Sequence, residues 1–380
     1  MNRTDLKQTK RWVIKIGSAL LTDDGKGLNS QALGLWVAQM VALKEQGIEV
    51  ILVSSGSIAV GMTRLGWSER PSGLNKLQAA AAVGQMGLIQ AYESQFSFFD
   101  LHTAQILVTH DDFSNRQRYL NIKSTIETLL AYGVIPIINE NDTVVTDEIC
   151  FGDNDTLAAL TANLISADVL VILTDQNGLY TENPRENPDA SLLSEVQVSS
   201  QDITAMASAK GGRLGKGGMY TKVMAAKRAA RSGTATLIAS GHEADILPKL
   251  LKGEVLGTLL IPDLEPLTAR QQWLAGHLQV KGSLVLDEGA VDTLLQRSGR
   301  SLLSVGVISQ KGDFLRGEMV ICYDTKGQEV ARGLVNYSAE ETCKLLGKPS
   351  SQIEPILGYM REDSLIHCDN MVLACKSEAR

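Results

Sequence analysis

Short apolar runs alternate with longer stretches of helical periodicity over about the first 260 of the 380 residues of this chain. The strand-like runs are mainly apolar and show no regular alternation with polar residues, so they are predicted to be buried on both faces. Alternation of strands and helices is typical of a mostly parallel sheet that helices cover on both sides. We therefore expect an α/β fold, a three-layer αβα sandwich around a mostly parallel central sheet. The predicted strands are residues 12–16, 50–53, 104–108, 134–138, 169–173 and 235–239, and the predicted helices are 30–46, 74–96, 119–132, 156–166 and 219–232.

The alternation of strand-like and helical segments ends at about residue 261. Pro262 and Pro266 bracket a polar connection, beyond which short apolar runs are separated by turn signals such as Gly312-Asp313. A chain of 380 residues also exceeds what one hydrophobic core usually supports. We predict a catalytic domain at 1–262, a linker at 263–279, a small β-rich domain at 280–358 and a C-terminal extension at 359–380. Strands of the second domain are expected at 283–286, 303–309, 317–323 and 329–334.

Composition narrows the class of protein. A net charge of −7 argues against a general nucleic-acid binder. The five cysteines are scattered and form no CxxC pair, so the sequence supports neither a disulfide framework nor a zinc site. Such cysteine usage is typical of proteins in a reducing compartment. The five histidines show no metal-ligand spacing, so no protein metal site is predicted. The first dozen residues lack the apolar core of a signal peptide, and no apolar run approaches the length of a membrane span. These features predict a soluble, cytoplasmic protein.

Polar motifs follow the predicted strands at the point where each strand ends. Lys15 is followed by Gly17 and Ser18, Ser54-Ser55-Gly56 comes after the second strand, and Thr174-Asp175 comes after the fifth. Ligands of open α/β sheets gather at the carboxyl ends of the strands, so we expect these groups to share one edge of the sheet. The agreement between periodicity and motif placement favours an enzyme.

Two dense clusters of acids and amides lie close together in the chain, Asn139–Asp142 and Asp153–Asp155. Asn154 offers both a donor and an acceptor, which suits the ammonium and carboxylate of an amino acid. Asp142 is a candidate for holding an ammonium group, and Asp155 for orienting cationic side chains. Helix caps also use such residues, but two clusters after one strand favour a binding site over caps alone.

A glycine-rich stretch, residues 211–219, leads into Lys222 and a basic helix. Such a loop before a helix can close over a triphosphate, and Lys15 and Lys222 can serve as point charges for phosphate oxygens. The alternatives are a linker for the loop and a solvated strand-end lysine for Lys15. The pattern GxxxxGK[ST] is absent and no GxGxxG follows a strand, so the usual nucleotide fingerprints do not apply.

Six motifs in this order resemble the bacterial glutamate 5-kinases, within the amino acid kinase family: VIKIGS, SSGSIAVG, INENDTV, FGDNDTLAA, LTDQNGLY and GKGGMYTK. The C-terminal segments at 286–290 and 356–359 resemble a PUA domain, so the likeness covers nearly the whole chain. It implies the amino acid kinase fold followed by a PUA-like domain, and phosphorylation of the side-chain carboxylate of L-glutamate by ATP with Mg²⁺. It also implies feedback inhibition by proline and a homo-oligomer.

The same resemblance implies roles for individual residues. Lys15 and Lys222 would stabilise the phosphates, with Asp155 organising them, and Ser55, Asp142 and Asn154 would bind glutamate. ATP would be held by Lys15, Thr174, Asp175, Lys216, Gly217, Gly218, Met219, Tyr220, Thr221 and Lys222. Family members often have a threonine where this chain has Lys216, and the extra cation either strengthens nucleotide binding or lies in solvent.

Two alternatives stay open from the sequence. One is another member of the same fold, an acetylglutamate, aspartate or nucleoside monophosphate kinase. The other is an RNA-binding protein, since PUA domains elsewhere bind RNA. The near balance of charge in residues 280–358 argues against RNA binding, which usually needs a basic face.

Overall fold

A computed structural model describes residues 1–22, 27–144, 154–184, 186–200, 202–208, 218–263, 280–296 and 299–373. The chain divides into two compact units. The first comprises Met1–Ser114 and Asn121–Ala269, and the second comprises Arg270–Arg380 with the short segment Asn115–Leu120. Among the described residues, no helix combines the length and the apolar character needed to cross a bilayer.

The first unit is built on a sheet of eight strands in its described part, and the prediction of a mostly parallel sheet is confirmed. The order across the sheet is β3-β4-β2-β1-β5-β7-β8-β6, and all neighbouring pairs are parallel except β7 with β8. The strands are β1 Arg11–Ile16, β2 Glu49–Ser54, β3 Thr103–Val108, β4 Ile135–Glu140, β5 Val169–Thr174, β6 Glu195–Gln197, β7 Ala235–Ser240 and β8 Thr258–Ile261. Strand β1 therefore lies at the centre, with the ends of β2 and β5 on either side.

Helices connect these strands. Their bounds are α1 Ser18–Leu21, α2 Ser30–Glu45, α3 Ser57–Arg64, α4 Leu74–Phe96, α5 His110–Ser114, α6 Arg116–Ala131, α7 Asn154–Leu164, α8 Asp202–Ser208, α9 Met219–Ala229 and α10 Ile246–Leu251. A short 3₁₀ helix, Arg3–Gln8, precedes β1.

The pleat of β1 decides which layer each of its side chains enters. Successive side chains of a strand point to opposite faces. Trp12, Ile14 and Ile16 join the core that also contains residues of α2, α4 and α10. Helices α7 and α9 pack on the sheet without contributing to that core, with α7 against β1. Val13 and Lys15 alternate with the first set, so the Lys15 side chain faces α7.

Helices α3 and α4 approach each other so closely that only glycine fits at two positions. A Cβ atom on Gly61 would lie 1.7 Å from the carbonyl oxygen of Ala80, and one on Gly84 would lie 1.8 Å from that of Ser57. Both contacts are with backbone, so a side chain could be accommodated only by moving a helix. The close packing fixes the start of α3 directly after β2.

The second unit has its own five-stranded sheet and its own hydrophobic core in the described residues. Its strands are β9 Val280–Leu286, β10 Val307–Gly312, β11 Met319–Tyr323, β12 Glu329–Leu334 and β13 Met371–Leu373, in the order β10-β9-β11-β12-β13. Its helices are α11 Glu288–Gln296, α12 Ala339–Leu345 and α13 Ile353–Leu357. Strand β13 pairs with β12, so part of the segment predicted as a C-terminal extension adds a strand to this sheet.

The predicted strand at 303–309 is displaced. Ser304–Gly306 forms a 3₁₀ turn and the strand begins at Val307. The reason is local, because the Gly306 N–H donates to the Leu303 carbonyl and the Val307 N–H donates to the Ser304 carbonyl, so these groups do not join a strand ladder. Strands β6, β8 and β13 have three or four residues and gave no pattern long enough to predict.

Candidate active site

Two lysines converge on a single buried carboxylate at the carboxyl edge of the first sheet. Lys15 reaches it from β1, and its Nζ lies 2.5 Å from Oδ1 of Asp155. Lys222 reaches it from the first turns of α9, and its Nζ lies 3.0 Å from Oδ2 of the same carboxylate. Asp155 is completely buried, and each lysine is 4% exposed. The structure thus brings together Lys15, Lys222 and Asp155, the three residues that the resemblance grouped around the phosphates.

Two ammonium groups contact this one carboxylate, so these three described side chains bring more positive than negative charge to one point. Burial weakens screening by water, so an excess charge here acts strongly on a nearby anion. The arrangement is therefore suited to holding negatively charged groups, phosphate oxygens among them. Asp155 holds both cations at one point with a single negative charge.

The start of α9 adds further donors beside this carboxylate. The Thr221 hydroxyl lies 3.0 Å from Oδ2 of Asp155 and 2.7 Å from the carbonyl oxygen of Gly218. Gly218 precedes the helix and caps it with no side-chain hydrogen bond. The first backbone N–H groups of a helix point outward and favour anions. Tyr220 is 42% exposed, and the predicted residues Lys216 and Gly217 lie outside the described part of the chain.

Asn154 is tied to the ends of the second and fourth strands. Its Nδ2 donates to the carbonyl oxygen of Ser54 and, at 2.8 Å, to Oδ1 of Asn139. Both of its donor hydrogens are thereby used, so Oδ1 is the atom of this amide that can accept a hydrogen bond from a ligand. Ser55 is half-buried and comes next in the chain, immediately before Gly56. Gly56 has a φ of 92°, which lets the chain turn sharply from β2 into α3.

Asp142 lies close to the start of α3. Ser57 donates from its hydroxyl to Oδ2 of Asp142 at 2.9 Å. Burial raises the pKa of Asp142, while the Ser57 hydrogen bond and the charge of Arg70 oppose that rise. Glu140 is two residues away, and burial together with the charge of Asp142 raises its pKa to about 7. This end of the site therefore carries two acids whose charged forms are destabilised.

Thr174 and Asp175 end the fifth strand beside the first. Gly17, just after β1, donates its N–H to the carbonyl oxygen of Leu173 at 3.2 Å. Thr174 is buried and its hydroxyl lies 3.0 Å from Oδ1 of Asp175, which is exposed. These two residues therefore lie on the same edge as Lys15, as the sequence predicts.

Several residues of this edge had no role assigned from the sequence. Ser57 lies in the motif SSGSIAVG, and Asn139 and Glu140 lie in INENDTV, so membership of these motifs is the sequence signal that marks them. Gln85 accepts a hydrogen bond from Asn139 at 2.6 Å, and nothing in the surrounding alanines and glycines of α4 marks it. In the described residues, no group of three or more His, Cys, Asp or Glu side chains is arranged to hold a metal ion.

Comparison with known proteins identifies the family. The profile described as the amino acid kinase family matches residues 10–240, more than half of the chain. The chain belongs to the amino acid kinase family. A PUA domain profile matches residues 282–357, so this amino acid kinase carries a second domain in the position that the resemblance implied.

Curated relatives of this amino acid kinase match it along almost its full length. A protein of Hydrogenovibrio crunogenus named glutamate 5-kinase is 70% identical, over 98% of this chain and 100% of its own. Another of that name, from Stutzerimonas stutzeri, is 59% identical over the same shares of the two chains. The resemblance drawn from the six motifs is therefore confirmed.

A solved structure supports the fold of the first unit. The carbamate kinase of Giardia lamblia, bound to AMP-PNP, superposes with a TM-score of 0.50 and 18% identity. The superposition covers 68% of this chain and 100% of the carbamate kinase chain. At this identity the comparison concerns the fold alone, and with the profile matches it confirms the predicted fold class.

Proposed function

We propose that this chain transfers the γ-phosphoryl group of ATP to the side-chain carboxylate of L-glutamate, giving L-glutamyl 5-phosphate, the first step of proline biosynthesis. The observation that carries the proposal is the 70% identity, over 98% of this chain and all of the relative, to a protein named glutamate 5-kinase. The pair of lysines on Asp155 supplies the chemistry that such a transfer needs.

The acceptor needs no general base. A glutamate carboxylate has a reference pKa of about 4.3 and is already ionised at neutral pH. Its oxygen forms a bond to the γ-phosphorus, the bond from that phosphorus to the β–γ bridging oxygen breaks, and ADP leaves with the electron pair. The main barrier is the approach of two anions, so fixed positive charge is the most effective aid. Lys15 and Lys222 provide that charge, and Asp155 holds them at one point.

The nucleotide is assigned to the edge formed by β5 and α9. Thr174 and Asp175 lie at the end of β5, and the first backbone N–H groups of α9 are suited to phosphate oxygens. Residues 216–222 are assigned to the same nucleotide. For Lys216 and Gly217, which lie outside the described residues, this role stays a prediction from the sequence. Mg²⁺ bound by the phosphates of ATP would neutralise part of their charge, as is usual for kinases.

Glutamate is assigned to the other side of β1 along the same edge, at the ends of β2 and β4. Oδ1 of Asn154 can accept from the substrate ammonium, and Asp142 offers a carboxylate to the same group. Ser55 lies at the turn between β2 and α3, where its hydroxyl and nearby amides suit a carboxylate. Lys15 lies on β1, which pairs with β2, and Asn154 donates to the carbonyl oxygen of Ser54 at the end of β2. The proposed sites for the two substrates are therefore neighbours on the same edge of the sheet.

The direct test is a substrate panel with hydroxylamine, which traps an acyl phosphate as a hydroxamate. L-glutamate, N-acetylglutamate, L-aspartate and UMP are each supplied with MgATP, and ADP is measured alongside. We expect hydroxamate and ADP with L-glutamate and neither above background with the other three. ADP formation that depends on UMP or N-acetylglutamate instead would overturn the assignment.

The family resemblance also leads us to propose inhibition by proline and assembly into a homo-oligomer. Adding proline to the hydroxamate assay should raise the glutamate concentration needed for half-maximal rate, because the inhibitor is assigned to an overlapping site. Light scattering after size-exclusion chromatography tests assembly. The cytoplasmic location, the domain boundaries and the absence of RNA binding stay predictions.

A further inference from the structure

The proposed product carries two groups that react with each other. L-glutamyl 5-phosphate has an acyl phosphate at C5 and an amine on Cα. When a neutral amine curls back, its nitrogen bonds to C5 and the bond from C5 to the phosphate oxygen breaks. Inorganic phosphate leaves with the electron pair and takes up the proton that the nitrogen loses, and a five-membered lactam remains. Such intramolecular reactions are fast because the reacting groups are already close.

The groups assigned to the substrate ammonium are acceptors of hydrogen bonds. Both donor hydrogens of Asn154 go to Ser54 and Asn139, so Oδ1 is left to accept from a ligand. The Asp142 carboxylate is 8% exposed, and the hydroxyl of Ser57 donates to its Oδ2 over 2.9 Å. Hydrogen bonds to the charged form of a group favour that form, so these acceptors favour ammonium over neutral amine. Only the neutral amine has the lone pair that attacks C5.

The surrounding charges act in the same direction. Burial raises the pKa of Asp142, and burial together with the charge of Asp142 raises the pKa of Glu140. Glu93 from α4 lines the same cavity as both of these acids. Arg70 is the cation whose charge acts on Asp142, and it is exposed, so water and salt screen it more than they screen the buried acid. An ammonium group bound here would therefore be stabilised in its charged form.

The spacing of the strands favours an extended substrate. Asp142 follows β4 and Lys15 lies on β1, with β2 between these strands in the sheet. Neighbouring strands lie about 4.7–4.9 Å apart, so the two strand ends are separated by about 9–10 Å. Glutamate must be extended to place its ammonium on the β4 side and its side-chain carboxylate near the lysines. Ring closure instead needs the nitrogen within about 3–3.5 Å of C5.

We propose that Asp142 and Asn154 give this site a second function, the protection of its acyl phosphate product from attack by the amine of the same molecule. They hold the amine charged and away from C5 until the product leaves. This inference rests on the proposed function, because it takes L-glutamyl 5-phosphate as the product. Its consequence is that bound product closes to the lactam, 5-oxoproline, more slowly than free product does.

The test supplies MgATP and radiolabelled L-glutamate to the wild-type chain, once with the protein in molar excess and once at a catalytic concentration. Aliquots quenched into hydroxylamine convert the surviving acyl phosphate to hydroxamate, and chromatography measures the lactam. In molar excess, we expect lactam to form from acyl phosphate about tenfold more slowly, because an increase of about one in the pKa of the amine lowers its neutral fraction tenfold. Equal rates in the two reactions would overturn the proposal.

Variants assign the protection to Asp142. Each is used at a concentration beyond which the rate of lactam formation no longer changes, and a variant with slow turnover is given acyl phosphate made by a trace of wild type. Asp142→Asn keeps the shape and removes the charge, so lactam should form at about the rate of free product. Ser55→Ala changes the group assigned to the substrate carboxylate and leaves both acceptors in place, so protection should persist.

Full protection by Asp142→Asn, or its loss in Ser55→Ala as well, would contradict the assignment to the ammonium pocket. Failure of the proposed function is seen separately. In that case the wild-type chain would give neither glutamate-dependent ADP nor hydroxamate, and no acyl phosphate would exist to be protected.

Discussion

The ammonium group of Lys222 lies 3.0 Å from Oδ2 of Asp155, a carboxylate with no exposed surface. Lys15 occupies the other oxygen, so the carboxylate is shared between cations from the first strand and the ninth helix of the unit. A buried charge is tolerated only when it is paired. The pairing therefore contributes both to the folding of this unit and to the charge of the proposed site.

Replacing Asp155 by Asn should destabilise the first unit. The change keeps the shape of the side chain but removes the negative charge that both buried ammonium groups contact, which costs about 3 kcal/mol. Thermal or urea unfolding measures the loss. Adding Lys222→Met to the same chain removes one of the two buried ammonium groups, so the double variant should regain part of the lost stability. A double variant that is less stable than Asp155→Asn alone would contradict this account of the pairing.

Glu140→Gln should change how stability depends on pH. Burial and the charge of Asp142 raise the pKa of Glu140 from 4.5 to about 7 in the folded chain. Its contribution to stability is therefore fully present below about pH 4.5 and is lost as the pH rises through about 7. Glutamine stays neutral, so the variant should gain stability relative to wild type at pH 8 and gain less at pH 5. Unfolding at the two pH values checks the sign, and an equal difference at both would show that Glu140 ionises as it does in water.

Gly61→Ala should destabilise the contact between α3 and α4. The added Cβ would lie 1.7 Å from the Ala80 carbonyl oxygen, so a helix must move, at a cost of about 3 kcal/mol. The shift would also disturb Ser57 and its bond to Asp142. Gly34→Ala is the control, because its Cβ meets only the end of the flexible Gln95 side chain. Calorimetry on both variants distinguishes steric conflict from a general effect of adding a methyl group.

The core strands could be predicted from the sequence because each is an apolar run that ends in a polar motif. Strands β1, β2, β4, β5 and β7 match their predicted positions within one or two residues, and the rule that ligands gather at strand ends placed Lys15 and Thr174 on one edge. Short strands such as β6 could not be found, since three residues do not establish a period.

Contacts between helices could not be predicted from the sequence. The requirement for Gly61 and Gly84 depends on how α3 crosses α4, which no local pattern encodes. Gln85 became visible only through Asn139, 54 residues away in the chain. The acids and lysines of the site could be predicted because they lie in dense polar motifs that follow strands or begin helices, whereas Gln85 is a single amide among the alanines and glycines of a helix.

The most direct test of the central claim is the turnover of Lys222→Ala in the glutamate-dependent assay, beside Lys227→Ala on the same helix. Lys227 bonds to the hydroxyl of Thr204, outside the proposed site, and its variant should keep normal turnover. We predict that Lys222→Ala lowers kcat by about 100-fold or more, as expected when a group that stabilises developing charge is removed, while the KM for glutamate stays within about twofold. A kcat close to that of Lys227→Ala would contradict the claim that the two lysines on Asp155 drive the transfer.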